Sequence, residues 1–299
     1  MLVVNFFLLL AITYASSVEV LLSHPNLPST DDCGINPVSD RILGGTITGL
    51  DEYPWLVAIE YKDKQTNKLD IKCGGSLISK KHVVTAAHCI MNEYTIARAW
   101  LGDWKLSSNP DCQYVLGVKI CNEKVQKINI VHSIYHPKYD DEEIKYDIGV
   151  LFLEREARFN NFVKPICLPS SKLKNLPKST MLYSTGWGVT EKGTTSDIKL
   201  KVELPLKLNN ECDVALKEHL SSNQLCVGGV DGKDTCGGDS GGPLMYYYTN
   251  NVTGDNHYYL LGVVSYGYDC GTEGYPAVYT RVPNFVNWIM TTITNNPAF

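Results

Sequence analysis

Three short segments carry residue types that could do chemistry together: Thr85-Ala86-Ala87-His88-Cys89, Tyr146-Asp147-Ile148-Gly149-Val150-Leu151, and Asp234-Thr235-Cys236-Gly237-Gly238-Asp239-Ser240-Gly241-Gly242-Pro243. A serine hydroxyl is a weak nucleophile and needs a base within hydrogen-bond reach. An imidazole that titrates near neutrality can take the proton and later return it to a leaving group. A carboxylate on its other ring nitrogen would fix the tautomer. Each segment alone has a plainer explanation: a surface histidine, an aspartate at a strand end, a glycine turn. Their occurrence together, in the order His, Asp, Ser, points to nucleophilic catalysis. On composition alone His82, His132, His136, Asp140 and Asp141 compete for the same roles.

Such residues need a rigid scaffold, and 299 residues suffice for a sizeable core. From residue 42 the chain reads as short β-rich runs at Trp55 to Tyr61, Ser76 to Ile78, Val83 to Thr85, Val125 to His132, Ile148 to Leu153, Met181 to Gly186, Leu200 to Leu204, Tyr258 to Ser265 and Ala277 to Val282. Turn residues separate them. Many short strands without alternating helices predict an all-β sandwich or barrel. Asn284 to Ile293 sets Phe285, Trp288, Ile289 and Thr292 at helical spacing, which predicts one closing amphipathic helix.

The opening MLVVNFFLLLAITYASS reads as a signal peptide over residues 1 to 17, so secretion is expected. Residues 18 to 41 hold Pro25, Pro28, Pro37 and four acids against one base, the composition of an extended prosegment. Ten cysteines without a C-x-x-C knuckle favour disulfides over structural zinc. Asn251-Val252-Thr253 is a glycosylation sequon in a polar stretch. With 27 basic and 32 acidic residues and no basic stripe, nucleic acid is not an expected partner, and neither is a membrane.

Over residues 42 to 299 the chain resembles the trypsin-like proteases of the S1, chymotrypsin-fold family. The resemblance rests on the three segments above and on Arg41-Ile42-Leu43-Gly44-Gly45, Cys73-Gly74-Gly75-Ser76-Leu77, Gly186-Trp187-Gly188, Ser265-Tyr266-Gly267 and Val278-Tyr279-Thr280. It implies two six-stranded antiparallel β-barrels with the active site between them. By this resemblance Ser240 is the nucleophile, His88 the base and Asp147 its orienting acid. The N–H groups of Gly238 and Ser240 are the oxyanion donors. Cleavage between Arg41 and Ile42 would release an amine for Asp239, making the protein a zymogen that needs an upstream activating protease.

Asp234 falls at the floor of the specificity pocket, which calls for Arg or Lys before the scissile bond. Gly267 matches an open pocket wall, and Ser265 with Gly267 would pair with the substrate backbone. Ala277 replaces the usual glycine. Gly237 replaces a longer residue, which leaves preference on the leaving-group side open. The family pairing joins Cys33 with Cys167, Cys73 with Cys89, Cys112 with Cys121, Cys212 with Cys226, and Cys236 with Cys270. Some relatives hold Ca²⁺ near Asp103, but only this one acid aligns, so no metal or cofactor is expected.

Asn109-Pro110-Asp111-Cys112, Gly232-Lys233-Asp234 and Asp269-Cys270-Gly271-Thr272 are similar to the catalytic domains of arthropod clip-domain proteases, which act in immune cascades. With Cys33 alone ahead of Arg41, the six-cysteine clip module itself is not expected. Expected partners are protein substrates and serpin-type inhibitors. Venom, salivary and digestive roles are the alternatives, and a non-catalytic homologue would have lost Ser240 or His88.

Overall fold

The computed structural model describes residues 25, 27–29, 31–36, 46–189, 193–230, 235, 238–249, 256–267 and 271–297. Arg41, Ile42, Asp234, Cys236, Asn251 and Cys270 lie outside the described residues. In chain order the strands are β1 (Thr46–Ile47), β2 (Leu56–Lys62), β3 (Leu69–Leu77), β4 (His82–Thr85), β5 (Thr95–Leu101), β6 (Cys112–Val115), β7 (Val118–Cys121), β8 (Gln126–Tyr135) and β9 (Gly149–Leu153). The second half adds β10 (Met181–Gly186), β11 (Leu200–Lys207), helix α1 (Asn209–Leu216), β12 (Gln224–Gly228), β13 (Pro243–Thr249), β14 (Asn256–Tyr266), β15 (Pro276–Arg281) and helix α2 (Val286–Asn295).

Strands β2-β3-β4-β9-β8-β5 close into one antiparallel barrel. The order β11-β10-β13-β14-β15-β12, closed by β11 against β12, makes the second, with β1 on its outside. β2 and β9 are buried along nearly their whole length, without alternation, so both faces of these barrel strands are covered. Trp55, Tyr53 and Tyr258 fill the seam between the barrels, and Trp55 Nε1 reaches Met245 Sδ across it.

The expected all-β class is present, and the run at Met181 to Gly186 is β10 to the residue. The predicted closing helix is offset by two residues, because a 3-10 turn at Val282–Asn284 comes first. Its buried face holds Val286, Ile289, Thr292 and Ile293. Strands β1, β5, β12 and β13, the β6–β7 ribbon and α1 had no predicted counterpart. Ahead of the first strand Cys33 is buried and bonded to Cys167, and Gly34 makes main-chain bonds with Tyr258 and Pro165. Cys73–Cys89, Cys112–Cys121 and Cys212–Cys226 are also formed, and no described cysteine is free. Among the described residues no helix is long and apolar enough to cross a membrane.

Candidate active site

β4 and β9 are antiparallel neighbours with Thr85 opposite Gly149. A residue just after β4 and one just before β9 therefore emerge at the same barrel rim. These are His88 and Asp147. Asp147 Oδ1 accepts the His88 main-chain N–H at 2.9 Å, and its Oδ2 lies 2.8 Å from His88 Nδ1. Accepting from Nδ1–H leaves Nε2 with its lone pair outward, the tautomer a general base requires. Asp147 is buried while the His88 side chain is 29% exposed, so the acid is shielded and the base stays accessible. The second barrel holds the same acid: Ser265 Oγ donates to Oδ2 at 2.6 Å and Thr280 Oγ1 to the Asp147 carbonyl at 2.6 Å.

Ser240 sits in the turn before β13. Its carbonyl accepts from Gly74 N at 2.7 Å, and Gly241 N donates to Val264 O at 2.9 Å, which fixes the turn against both barrels. A β-carbon on Gly241 would come 2.2 Å from Thr85 Oγ1 and 2.6 Å from the Gly74 carbonyl, so a side chain is excluded there. Gly238 has φ +98°, a left-handed conformation that glycine adopts freely. Among the described residues neither the Gly238 nor the Ser240 N–H has a protein acceptor, leaving both available to an oxyanion.

The structure does not join the nucleophile to the base. Ser240 Oγ makes no hydrogen bond among the described residues, and the contact at His88 Nε2 is Cys89 Sγ at 3.6 Å. Catalytic hydrogen bonds commonly tighten only when substrate is bound.

Asp239 turns away from the cleft into a cradle made by Gly186-Trp187-Gly188. Gly188 N donates to its Oδ1 at 2.8 Å, and β-carbons on Gly186 and Gly188 would fall 1.9 Å and 2.2 Å from its carboxylate oxygens. Those glycines are required by the acid, a reason invisible in the tripeptide itself. Ser265 is buried beside Asp147, while Gly267 and Ala277 face each other, a β-carbon on Gly267 falling 3.3 Å from Ala277 Cβ. Thr235, next to Asp234 in the chain, pairs its hydroxyl with Tyr279 at 2.7 Å. Sequence reading missed Thr235, Thr280 and Thr85, and i, i+2 alternation on β15 is the signal that places Ala277 and Tyr279 on one face.

The competing groups are engaged elsewhere. His82 Nδ1 bonds Ser79 Oγ at 2.6 Å and packs on Phe152, as does His132. His136 stacks on Tyr146, and burial, with Lys138 nearby, lowers its pKa. Asp140 caps the turn at Glu142 and Glu143. Asp103 is buried against Asp111; its Oδ1 has no partner among the described residues. No group of three candidate metal ligands forms around it among the described residues.

Two closed barrels with a buried acid, its histidine and a glycine-turn serine at their seam define a serine hydrolase. The Trypsin family profile matches residues 42–289. Phenoloxidase-activating enzyme 1 of Spodoptera litura is 38% identical over 274 residues, covering 89% of this chain and 70% of that protein. Melanization protease 1 of Drosophila melanogaster is 40% identical over 275 residues, covering 88% and 68%. The crystal structure of the Drosophila Grass clip serine protease of the Toll pathway superposes with a TM-score of 0.78 at 34% identity, covering 89% and 76%. The chain belongs to the trypsin family of serine proteases, and its relatives are clip-domain serine proteases.

Proposed function

We propose that the protein is a secreted zymogen, made with residues 1–17 as signal and 18–41 as prosegment, that cuts protein substrates after Arg or Lys in an extracellular immune cascade. In this reading Ser240 Oγ attacks the scissile carbonyl while His88 Nε2 takes its proton. The Gly238 and Ser240 N–H groups hold the oxyanion, and His88 then protonates the leaving amine. Water hydrolyses the acyl-enzyme by the reverse sequence. Asp234 supplies the charge that selects a basic side chain.

The observation that carries the reading is the hydrogen bond that His88 Nδ1 makes to Asp147, which sets the tautomer, beside a glycine turn in which the Gly238 and Ser240 N–H groups have no acceptor among the described residues. The names of the two relatives, an activating enzyme and a melanization protease, support the cascade. The test is proteolytic activation followed by N-terminal sequencing and assay on an arginine anilide. Activity should rise with a new Ile42 terminus, and an Arg41→Gln protein should stay inactive. An uncut Arg41→Gln protein as active as activated wild type would overturn it.

A further inference from the structure

Strands β6 and β7 form a two-stranded ribbon that belongs to neither barrel. Val115 pairs with Val118 across a turn at Leu116 and Gly117, both with positive φ, and Cys112–Cys121 staples the other end. Its base is fixed to the body. Asp111 Oδ2 accepts from Trp104 N and Lys105 N, each at 2.9 Å, and Gln113 Nε2 donates to Thr48 O at 3.1 Å. The free end is apolar: Leu116 is 99% exposed, Tyr114 75% and Val118 63%, with Val115 and Ile120 also exposed. Both outer edges lack a neighbouring strand among the described residues. A rigid, exposed apolar ribbon with free edges is a surface built to be covered.

The base of the ribbon adjoins residues 104–106, and these lead to a cavity beside Gly238. Trp104, held by Asp111, accepts at its carbonyl from Trp187 Nε1 at 3.2 Å. Trp187 and Leu106 wall a cavity of about 280 Å³ that also touches Gly238, with Leu69, Ile71 and Trp100 as its other apolar walls. Its two acids are neutralised, Glu60 by Arg98 and Asp70 by Lys72 at 3.8 Å. The cavity contains none of Ser265, Gly267 and Ala277 and adjoins the oxyanion donor through β3 and β5, which places it on the leaving-group side.

We propose that this cavity and the ribbon form one exosite for the stretch of a protein substrate that follows the scissile bond. The inference rests on the endopeptidase reading above. That stretch is extended and apolar, lies along a ribbon edge as an added strand, and carries acidic residues for Lys119 and Lys124, which have no ion pair among the described residues.

Three probes with the same residues up to Arg test it: an arginine anilide, a quenched peptide with three residues after the cut, and that peptide continued by roughly 14 residues rich in Val and Leu with two Glu, about 45 Å of extended chain. Wild type should cleave the long peptide at least fivefold better than the short one in kcat/KM, mostly through KM. Leu116→Ser with Val118→Ser should bring the ratio within twofold of unity, and Lys119→Glu should lower it. A ratio of one in wild type, or one unmoved by these variants, overturns the exosite while anilide cleavage upholds the protease. If the anilide is not cleaved the protease reading fails, and the exosite is then judged by fluorescence anisotropy of the long peptide on Ser240→Ala protein, where Leu116→Ser must weaken binding. Self-association or vesicle binding that Leu116→Ser abolishes would assign the ribbon to a second copy or to lipid instead.

Discussion

Ser265 and His88 meet on a single oxygen of Asp147, the serine hydroxyl at 2.6 Å and the imidazole Nδ1 at 2.8 Å. Asp147 is anchored from both barrels, since His88 comes from the first and Ser265 from β14 of the second. A hydrogen bond to a charged group is worth about 1.5–3 kcal/mol, and the acid keeps its other partners. Ser265→Ala should therefore lower kcat/KM on an arginine anilide roughly tenfold. A rate within twofold of wild type would refute the shared-oxygen role.

The Asp239 cradle makes a second prediction. In Gly186→Ala the new β-carbon would lie 1.9 Å from Asp239 Oδ1, so the carboxylate must leave its place beside Gly188. Asp239 precedes Ser240, and displacing it should disturb the turn that presents the oxyanion donors. Activity should fall by roughly two orders of magnitude, a loss on the scale of an oxyanion donor, with the far-ultraviolet circular dichroism retained. Activity within threefold of wild type would show that the cradle is dispensable.

What the sequence made legible follows the length scale of each signal. Met181 to Gly186 and Val83 to Thr85 were readable because β-branched and aromatic runs end at turn residues. β13, PLMYYYT, has no alternation and follows a glycine tract, so its strand character comes from pairing with β10 and β14. The ribbon quartets are too short for periodicity, and Leu116-Gly117 is not one of the Asn-Gly or Asp-Gly pairs that mark a two-residue hairpin. His88, Asp147 and Ser240 stood out because their neighbours are unusual. Thr280 and Thr235 did not, since a threonine in a strand looks like any other until the strand across the seam is placed.

Asp103 predicts a pH dependence of stability. Burial first, then the charge and hydrogen bond of Asp111, push its pKa up to about 7 from 3.8. A raised carboxyl pKa means that the folded state binds more protons than the unfolded chain between pH 4 and 7, so stability falls as pH rises through that window. The upper bound is about 4 kcal/mol. Lys199, whose pKa burial lowers to about 8, adds a gain only above that value. Melting temperatures of wild type and Asp103→Asn should diverge between pH 4 and 7, with the variant gaining relative to wild type. Parallel curves would show that Asp103 does not titrate there.

Ala277 and Tyr279 share one face of β15, and Tyr279 holds the hydroxyl of Thr235, the neighbour of Asp234. In the reading proposed above the buried Ala277 methyl belongs to the specificity pocket, and it lies across from Gly267. Arginine reaches a carboxylate with two parallel N–H bonds, whereas lysine is a point donor whose shorter reach needs a bridging water. A methyl in the water's place penalises lysine more. Cleavage after Arg should exceed cleavage after Lys roughly tenfold in kcat/KM, a difference of about 1.4 kcal/mol, on the scale of one imperfect hydrogen bond. Ala277→Gly should narrow the ratio at least threefold by raising the lysine rate. If the ratio is the same in both proteins, the methyl displaces nothing that lysine needs.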